Sequence, residues 1–222
     1  MMNSGYRESI KLAITSFFMF LLFIGISFYP LIIPDKLALI NSGLALPILY
    51  MIEFSLIIPL YFILFRKHDE MNIGKGSFKM FFTFLILLIL TQFAGSYIMD
   101  IRKPESWMIE QDAEKGNLFL LNLLLLIFIV PVYEELIFRG CLLRTMLISF
   151  RGNVYLSSLA TSIVFSVLHT QYNDIRTFVI LFLVSLILIG ARIASNGMVM
   201  PILLHMTMNG IILGVIHYFL IG

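Results

Sequence analysis

The hydrophobic positions of this chain fall in long uninterrupted runs, at roughly 10–33, 38–65, 78–100, 117–143, 154–172, 176–195 and 197–221. A helix of about 20 apolar residues crosses the hydrocarbon core of a bilayer, so each run predicts a transmembrane helix. The expected fold class is all-α, a polytopic transmembrane helical bundle of about seven spans, or eight if the second run breaks near Pro47. The first run is longer than a signal-peptide core and no A-x-A site follows it, so it reads as an uncleaved anchor. Two polar connections stand out, at 66–79 and 101–115, the second with room for a short interfacial helix around Trp107. With no internal repeat and no polar block large enough for a soluble domain, residues 1–222 read as a single integral membrane domain.

Composition sharpens this picture. Of the 222 residues, 60% are hydrophobic and 13% charged, and the mean hydropathy is +0.99. Soluble domains carry about 25% charged residues, so the apolar excess belongs against lipid. A net charge of +2 offers no basic patch for nucleic acid. One cysteine, Cys141, excludes an intrachain disulfide framework. With the N-terminus in the cytoplasm, nine of the fifteen Lys and Arg residues fall on the inner side and five on the outer, leaving Arg139 within a span. The positive-inside rule then favours a cytoplasmic N-terminus and an external C-terminus.

Ionisable groups inside spans cost at least about 2.5–3.5 kcal/mol each and usually face a cavity or a partner. They concentrate in the C-terminal half, as Glu134, Glu135, Arg139, His169, His205 and His217, with Asn209 beside them; the N-terminal half has mainly Glu53. Glu135 and Arg139 are four residues apart, on one helical face and able to pair. Glu134 is rotated about 100° from Glu135 and points elsewhere. Phe165 and His169 also stand at i,i+4, as do His205 and Asn209. Three helices thus each bring one polar face inward.

Their depths agree as well. Glu134 lies 17 residues before Arg151, and His169 lies 18 after it, so an antiparallel hairpin sets them level. His205 joins that level if 144–158 projects into the cytoplasm, which places Arg151 and Ser157 on the cytoplasmic side. Interhelical polar contacts in membranes average only about 0.6 kcal/mol, too little to offset so many buried polar groups as packing alone. A functional site is the better account. Cys141, seven residues after Glu134, shares its face in a regular helix but reads as core. Glu53 reads as a residue pairing with a cation or holding water. Gly210 and Gly214 form G-x-x-x-G, a close-packing signal.

A carboxylate in a low-dielectric cavity can act as a general base near neutral pH. A neighbouring histidine can share the water it activates, and a second histidine with an amide one turn away offers two donors to an oxyanion. This is a layout for peptide-bond hydrolysis without a covalent intermediate. The same Glu134, His169 and His205 can equally ligate Zn²⁺ with a water in the open position. Buried Glu and His also serve proton-coupled transport, but no inverted repeat accompanies them.

The three motifs in order, E-E-x-x-x-R (Glu134, Glu135, Arg139), F-x-x-x-H (Phe165, His169) and H-x-x-x-N (His205, Asn209), resemble those of the CAAX prenyl protease and bacteriocin-processing family of intramembrane endopeptidases, also called Abi or CPBP proteins. The resemblance covers about 117–210, the expected catalytic core. It implies that Glu134 is the general base, that His169 helps to activate water, that His205 and Asn209 are oxyanion donors, and that Glu135 and Arg139 orient them, with Phe165 in support. Members are often described as metalloproteases; a metal-free glutamate mechanism is also held for some, and Asn209 suits that one better. The expected cofactor is therefore none, with Zn²⁺ on Glu134, His169 and His205 as the alternative.

The eukaryotic members trim prenylated C-terminal tripeptides. The Ile-, Lys- and Asn-rich composition here suggests a bacterium, where the members are associated with bacteriocin maturation, self-immunity or membrane-protein processing. The expected setting is the bacterial plasma membrane, with an active site reached from the cytoplasm. The partners are lipid and a membrane-associated peptide or protein substrate, with no nucleic acid. The competing reading is a non-proteolytic immunity or scaffold factor that uses the same cavity. A topology reporter fused after Gly222 should read external; a cytoplasmic signal overturns the orientation or adds a span.

Overall fold

The computed structural model describes residues 4–65, 73–101, 103, 105–107, 109 and 116–218. Helix α1 (Ser4–Ile26) is followed by a 3₁₀ turn (Tyr29–Ile32), the short α2 (Lys36–Asn41), α3 (Ala45–Phe65) and α4 (Phe78–Ile98). Helix α5 then runs over Asn117–Ser149, and α6 (Val154–Leu168), α7 (Ile175–Ser195) and α8 (Val199–Ile216) follow. There is no strand among the described residues. The molecule is a helical membrane bundle. Among the described residues, six helices are long and apolar enough to cross a bilayer, and α6, at 15 residues, is a shorter apolar helix.

The boundaries follow from local chemistry. The run at 38–65 does break, but at Ser42–Leu44, ahead of Pro47, leaving α2 as a six-residue turn of helix. Pro47 itself sits in the first turn of α3, where a missing N–H costs little. Ser77 and Asn153 cap α4 and α6, accepting the N–H groups of Met80 at 3.2 Å and Leu156 at 3.0 Å. Asn196 ends α7 in the left-handed conformation. The large apolar residues left exposed, such as Phe18, Ile63 and Phe78, lie on membrane-length helices and suit lipid.

The segments between helices sort onto two opposite ends of the bundle. Tyr29 donates its hydroxyl to Ala45 O, and the Arg176 guanidinium reaches Met99 O and Asp100 O. These contacts set 27–44, 99–101 and 169–174 at the end where α1 stops. Lys75 N–H donates to Ser195 O at 2.7 Å, which sets 73–77 with 196–198 at the end where α1 starts. There Gly74, with φ +83°, lies directly on Gly197. A Cβ on Gly197 would stand 2.3 Å from Gly74 Cα, so the close approach requires glycine. The turn at 150–153 is on this same end. Arg151 is exposed there, whereas Ser157 is fully buried, so of these two positions only Arg151 is open to solvent. In the G-x-x-x-G pair, Gly210 faces Ile127 but Gly214 meets nothing within 4 Å.

The core has two halves. One gathers α1, α3 and α5 around Ile57, Tyr61, Phe65, Ile137 and Phe138. The other gathers α4, α7 and α8 around Leu88, Val184, Leu188 and Leu204. Between them stand Glu135, Arg139, Ser185 and His205, polar residues buried on the seam. Gly197→Ala should destabilise the protein by about 1–3 kcal/mol, the usual cost of overpacking, seen as a lower melting temperature in detergent, while Gly5→Ala, with open space around it, should leave it unchanged.

Candidate active site

Helix α5 owes its shape to Pro131, which has no N–H to give. Just before it, residues Leu125–Ile129 form a π-helical turn in which Val130 N–H bonds to Leu125 O, five residues back. In that register the next carbonyl, Leu126 O, would pair with residue 131 and is left free. Asn209 of α8 takes it, donating Nδ2–H at 2.9 Å. A second π segment, Leu136–Leu142, follows the regular stretch Val130–Glu135. Such bulges recur at functional sites. The second also shifts the register downstream. Cys141 no longer shares the face of Glu134; it is fully buried in the apolar core.

Glu134 and Glu135 part as their rotation predicts. Glu135 is fully buried, and its Oε1 accepts two bonds, from Arg139 Nη1 at 2.9 Å and from His205 Nδ1 at 2.8 Å. Arg139 continues to Ser185, donating to its Oγ at 3.2 Å and its carbonyl at 3.4 Å. Its guanidinium also lies 4.6 Å from the ring centre of Phe165. Glu134 retains 15% side-chain exposure, into the cavity, with Oε2 3.9 Å from His205 Nε2.

The motif histidines are held by groups that can only accept or that carry negative charge, which fixes their tautomers. His169 terminates α6. Its backbone N–H turns back to Ser166 O, and its Nδ1–H donates to Phe165 O at 2.7 Å, a carbonyl the helix end leaves open. Nε2 of His169 therefore carries the lone pair. The ring also stacks on Phe165, 4.4 Å between centres. His205 gives Nδ1–H to Glu135, so its Nε2 donates only when the ring holds both protons.

Glu134, His169, His205 and Asn209 line one cavity of about 100 Å³, with Phe165 at its wall. Four polar or aromatic residues absent from the three motifs join them: Gln92 from α4, Trp107, Gln171 and Tyr172. Trp107 packs edge-on against Tyr172, 5.6 Å between centres. Burial, with the Glu105 carboxylate nearby, pushes the Tyr172 hydroxyl up, so it remains a donor. Glu105 itself accepts Thr177 Oγ1–H at 2.8 Å and Asn173 N–H at 3.1 Å. Asp174, held by Arg176, stays below the usual carboxylate range. Gln92, an uncharged polar residue within the apolar run of α4, was the one visible signal for this wall; Trp107 and Tyr172 are brought in by linkers that carry no motif.

One expectation is modified. Trp107, Gln171 and Tyr172 belong to the end of the bundle opposite the start of α1. The N-terminus and this end of the cavity therefore lie on opposite sides of the membrane, and the two cannot both be cytoplasmic. Among the described residues, no three His, Cys, Asp or Glu side chains are grouped to hold an ion.

A buried ion pair, two oriented histidines and a cavity-facing glutamate on three helices define a polar site inside a helical membrane protein. The comparisons with known proteins agree with the motifs. Residues 116–211 match the family described as Type II CAAX prenyl endopeptidase Rce1-like, and all three motifs lie within the matched residues. The chain is also similar to an uncharacterized 24.3 kDa protein of Escherichia coli, 39% identical over 97 residues. That alignment covers 43% of this chain and 45% of the relative, so the chain spans less than half the length of the relative it matches. No solved structure matches.

Removing Arg139 would strip Glu135 of its ion-pair partner in the core, leaving it only the His205 bond. Arg139→Met should therefore cost about 3–5 kcal/mol of stability, and adding Glu135→Gln should recover part of it. Thermal melts of the two single variants and the double variant in detergent measure both effects.

Proposed function

We propose that this protein is an intramembrane endopeptidase that hydrolyses a peptide bond of a membrane-associated peptide or protein by glutamate-activated water. The observation that carries the reading is the convergence of Glu134, His169, His205 and Asn209 on one cavity within the bundle. At about 100 Å³ the cavity accommodates about three waters, enough for the nucleophile. A substrate backbone would enter from the end walled by Trp107 and Tyr172.

The chemistry follows from the hydrogen bonds. A water between Glu134 and His169 donates one proton toward the Glu134 carboxylate and the other to Nε2 of His169. Its oxygen attacks the scissile carbonyl carbon as Glu134 takes the proton. The carbonyl oxygen becomes an oxyanion and receives the second Nδ2–H of Asn209 and, when its ring is doubly protonated, Nε2–H of His205. Glu134 then passes its proton to the amide nitrogen, the C–N bond breaks, and the amine leaves. Glu135 and Arg139 touch no substrate; they fix the ring of His205.

We propose that no metal takes part, since Asn209 suits an oxyanion better than a metal. The substrate class is a short amphipathic or membrane-anchored peptide, and the setting a bacterial plasma membrane. The test is cleavage of a library of hydrophobic peptides by detergent-purified protein. Glu134→Gln should lower kcat by about 10²–10⁴-fold with a melting temperature near wild type, and Asn209→Ala should lower kcat by about 10²–10³-fold with a lower melting temperature, because Leu126 O loses its donor. A zinc chelator should leave the rate unchanged, and loss of activity restored by Zn²⁺ overturns the metal-free reading. If cells carrying Glu134→Gln keep the full biological function, the cavity serves binding, as an immunity or scaffold factor would.

A further inference from the structure

Glu53 belongs to none of the motifs and lies outside the matched residues 116–211. It is a carboxylate in mid-membrane on α3, 3% exposed, and no cation pairs with it among the described residues. Its partners are hydroxyls. The side chain of Tyr133, 1% exposed, and that of Ser27 are hydrogen-bonded to it. A buried carboxyl group that binds two hydroxyls is a costly way to fill space, since an apolar residue would pack there without desolvating a polar group.

What it holds is the residue before Glu134. Tyr133, Glu134 and Glu135 stand on the six-residue stretch Val130–Glu135, bounded on both sides by π segments. Each π turn adds a residue and rotates the downstream helix by roughly one position, about 100°. Within the stretch, Pro131 also lacks its backbone donor. The hydrogen-bond ladder alone therefore sets the rotation of this stretch weakly, and side chains must fix it. Glu135 is tied to His205 of α8. Tyr133, roughly 200° away around the helix, is tied to Glu53 of α3. With its two neighbours anchored to helices on opposite sides, Glu134 is left facing the cavity.

We infer that Glu53 is a positioning residue that acts through the Tyr133 hydroxyl to aim the Glu134 carboxylate into the cavity. This deepens the proposed function and rests on Glu134 being the base. The three-point arrangement also makes a prediction of non-additivity: once either end of the Glu53–Tyr133 bond is removed, removing the other adds nothing.

The test has one readout that needs no substrate and one that does. The infrared carboxyl band of Glu134 is assigned by subtracting the spectrum of Glu134→Gln from that of wild type. Glu53→Ala and Tyr133→Phe should each move that band, and Ile57→Val, a core change one turn along the same helix, should not. On the library peptide cut fastest by wild type, Glu53→Ala and Tyr133→Phe should each lower kcat at least tenfold, with KM within twofold. The double variant should be no worse than either, and Glu53→Gln, which keeps an acceptor for the hydroxyl, should stay within threefold of wild type. A Glu134 band that neither variant moves overturns the inference, as does an additive double variant. If the band moves but Glu134→Gln still cleaves, the positioning stands and the assignment of Glu134 as base falls. If Glu134→Gln is inactive and Glu53→Ala cleaves at the wild-type rate, only the role of Glu53 falls.

Discussion

One carboxylate oxygen joins the two halves of this bundle. Glu135 Oε1 accepts Arg139 from its own helix and His205 from α8, and Arg139 goes on to Ser185 of α7. In lipid the hydrophobic effect does not drive helices together, because the tails are as apolar as the side chains. Directional bonds at the seam then decide which faces meet. The residues that assemble the bundle here are the same ones that orient the site, so fold and function rest on a shared set of contacts.

The irregularity of α5 is the second constraint, and it comes from Pro131. A regular helix through 117–149 would have to absorb a missing donor in the membrane interior, where no water can replace it. The π turn moves the resulting free carbonyl to Leu126, and Asn209 answers it across the helix interface. Asn209 thus closes the backbone of α5 with one amide hydrogen, while the residue also lines the cavity.

Much of this was legible in the sequence because the membrane leaves few alternatives. Apolar runs of the right length predict helices, and polar residues inside them have nowhere to face but inward. The spacing of Glu135 and Arg139 predicted their pairing, and the 100° step from Glu134 predicted its separate fate. The motif spacings likewise carried the wall of Phe165, His169, His205 and Asn209. What the spacing could not carry were changes of register and contacts made by linkers. The π segment at 136–142 removed Cys141 from the face a regular helix assigns it. Trp107, Gln171 and Tyr172 came to the cavity through connections with no periodicity. Ser157 looked like a polar residue at a membrane boundary and is buried. The second run broke at Ser42–Leu44 because Pro47 is comfortable in a first turn, which periodicity alone does not report.

Helix α6 is only 15 residues long, about 22 Å at 1.5 Å per residue, against a hydrocarbon core of about 30 Å. It stops at the histidine that faces the cavity, and the polar stretch Gln171–Asp174 comes directly after. Around this helix the bilayer must thin, or water must follow the chain inward. The short helix thereby acts as a notch in the membrane slab, one that brings the aqueous phase toward His169 from the side of the linkers. Acyl-chain length then joins the protein's own side chains in setting how wet the cavity is.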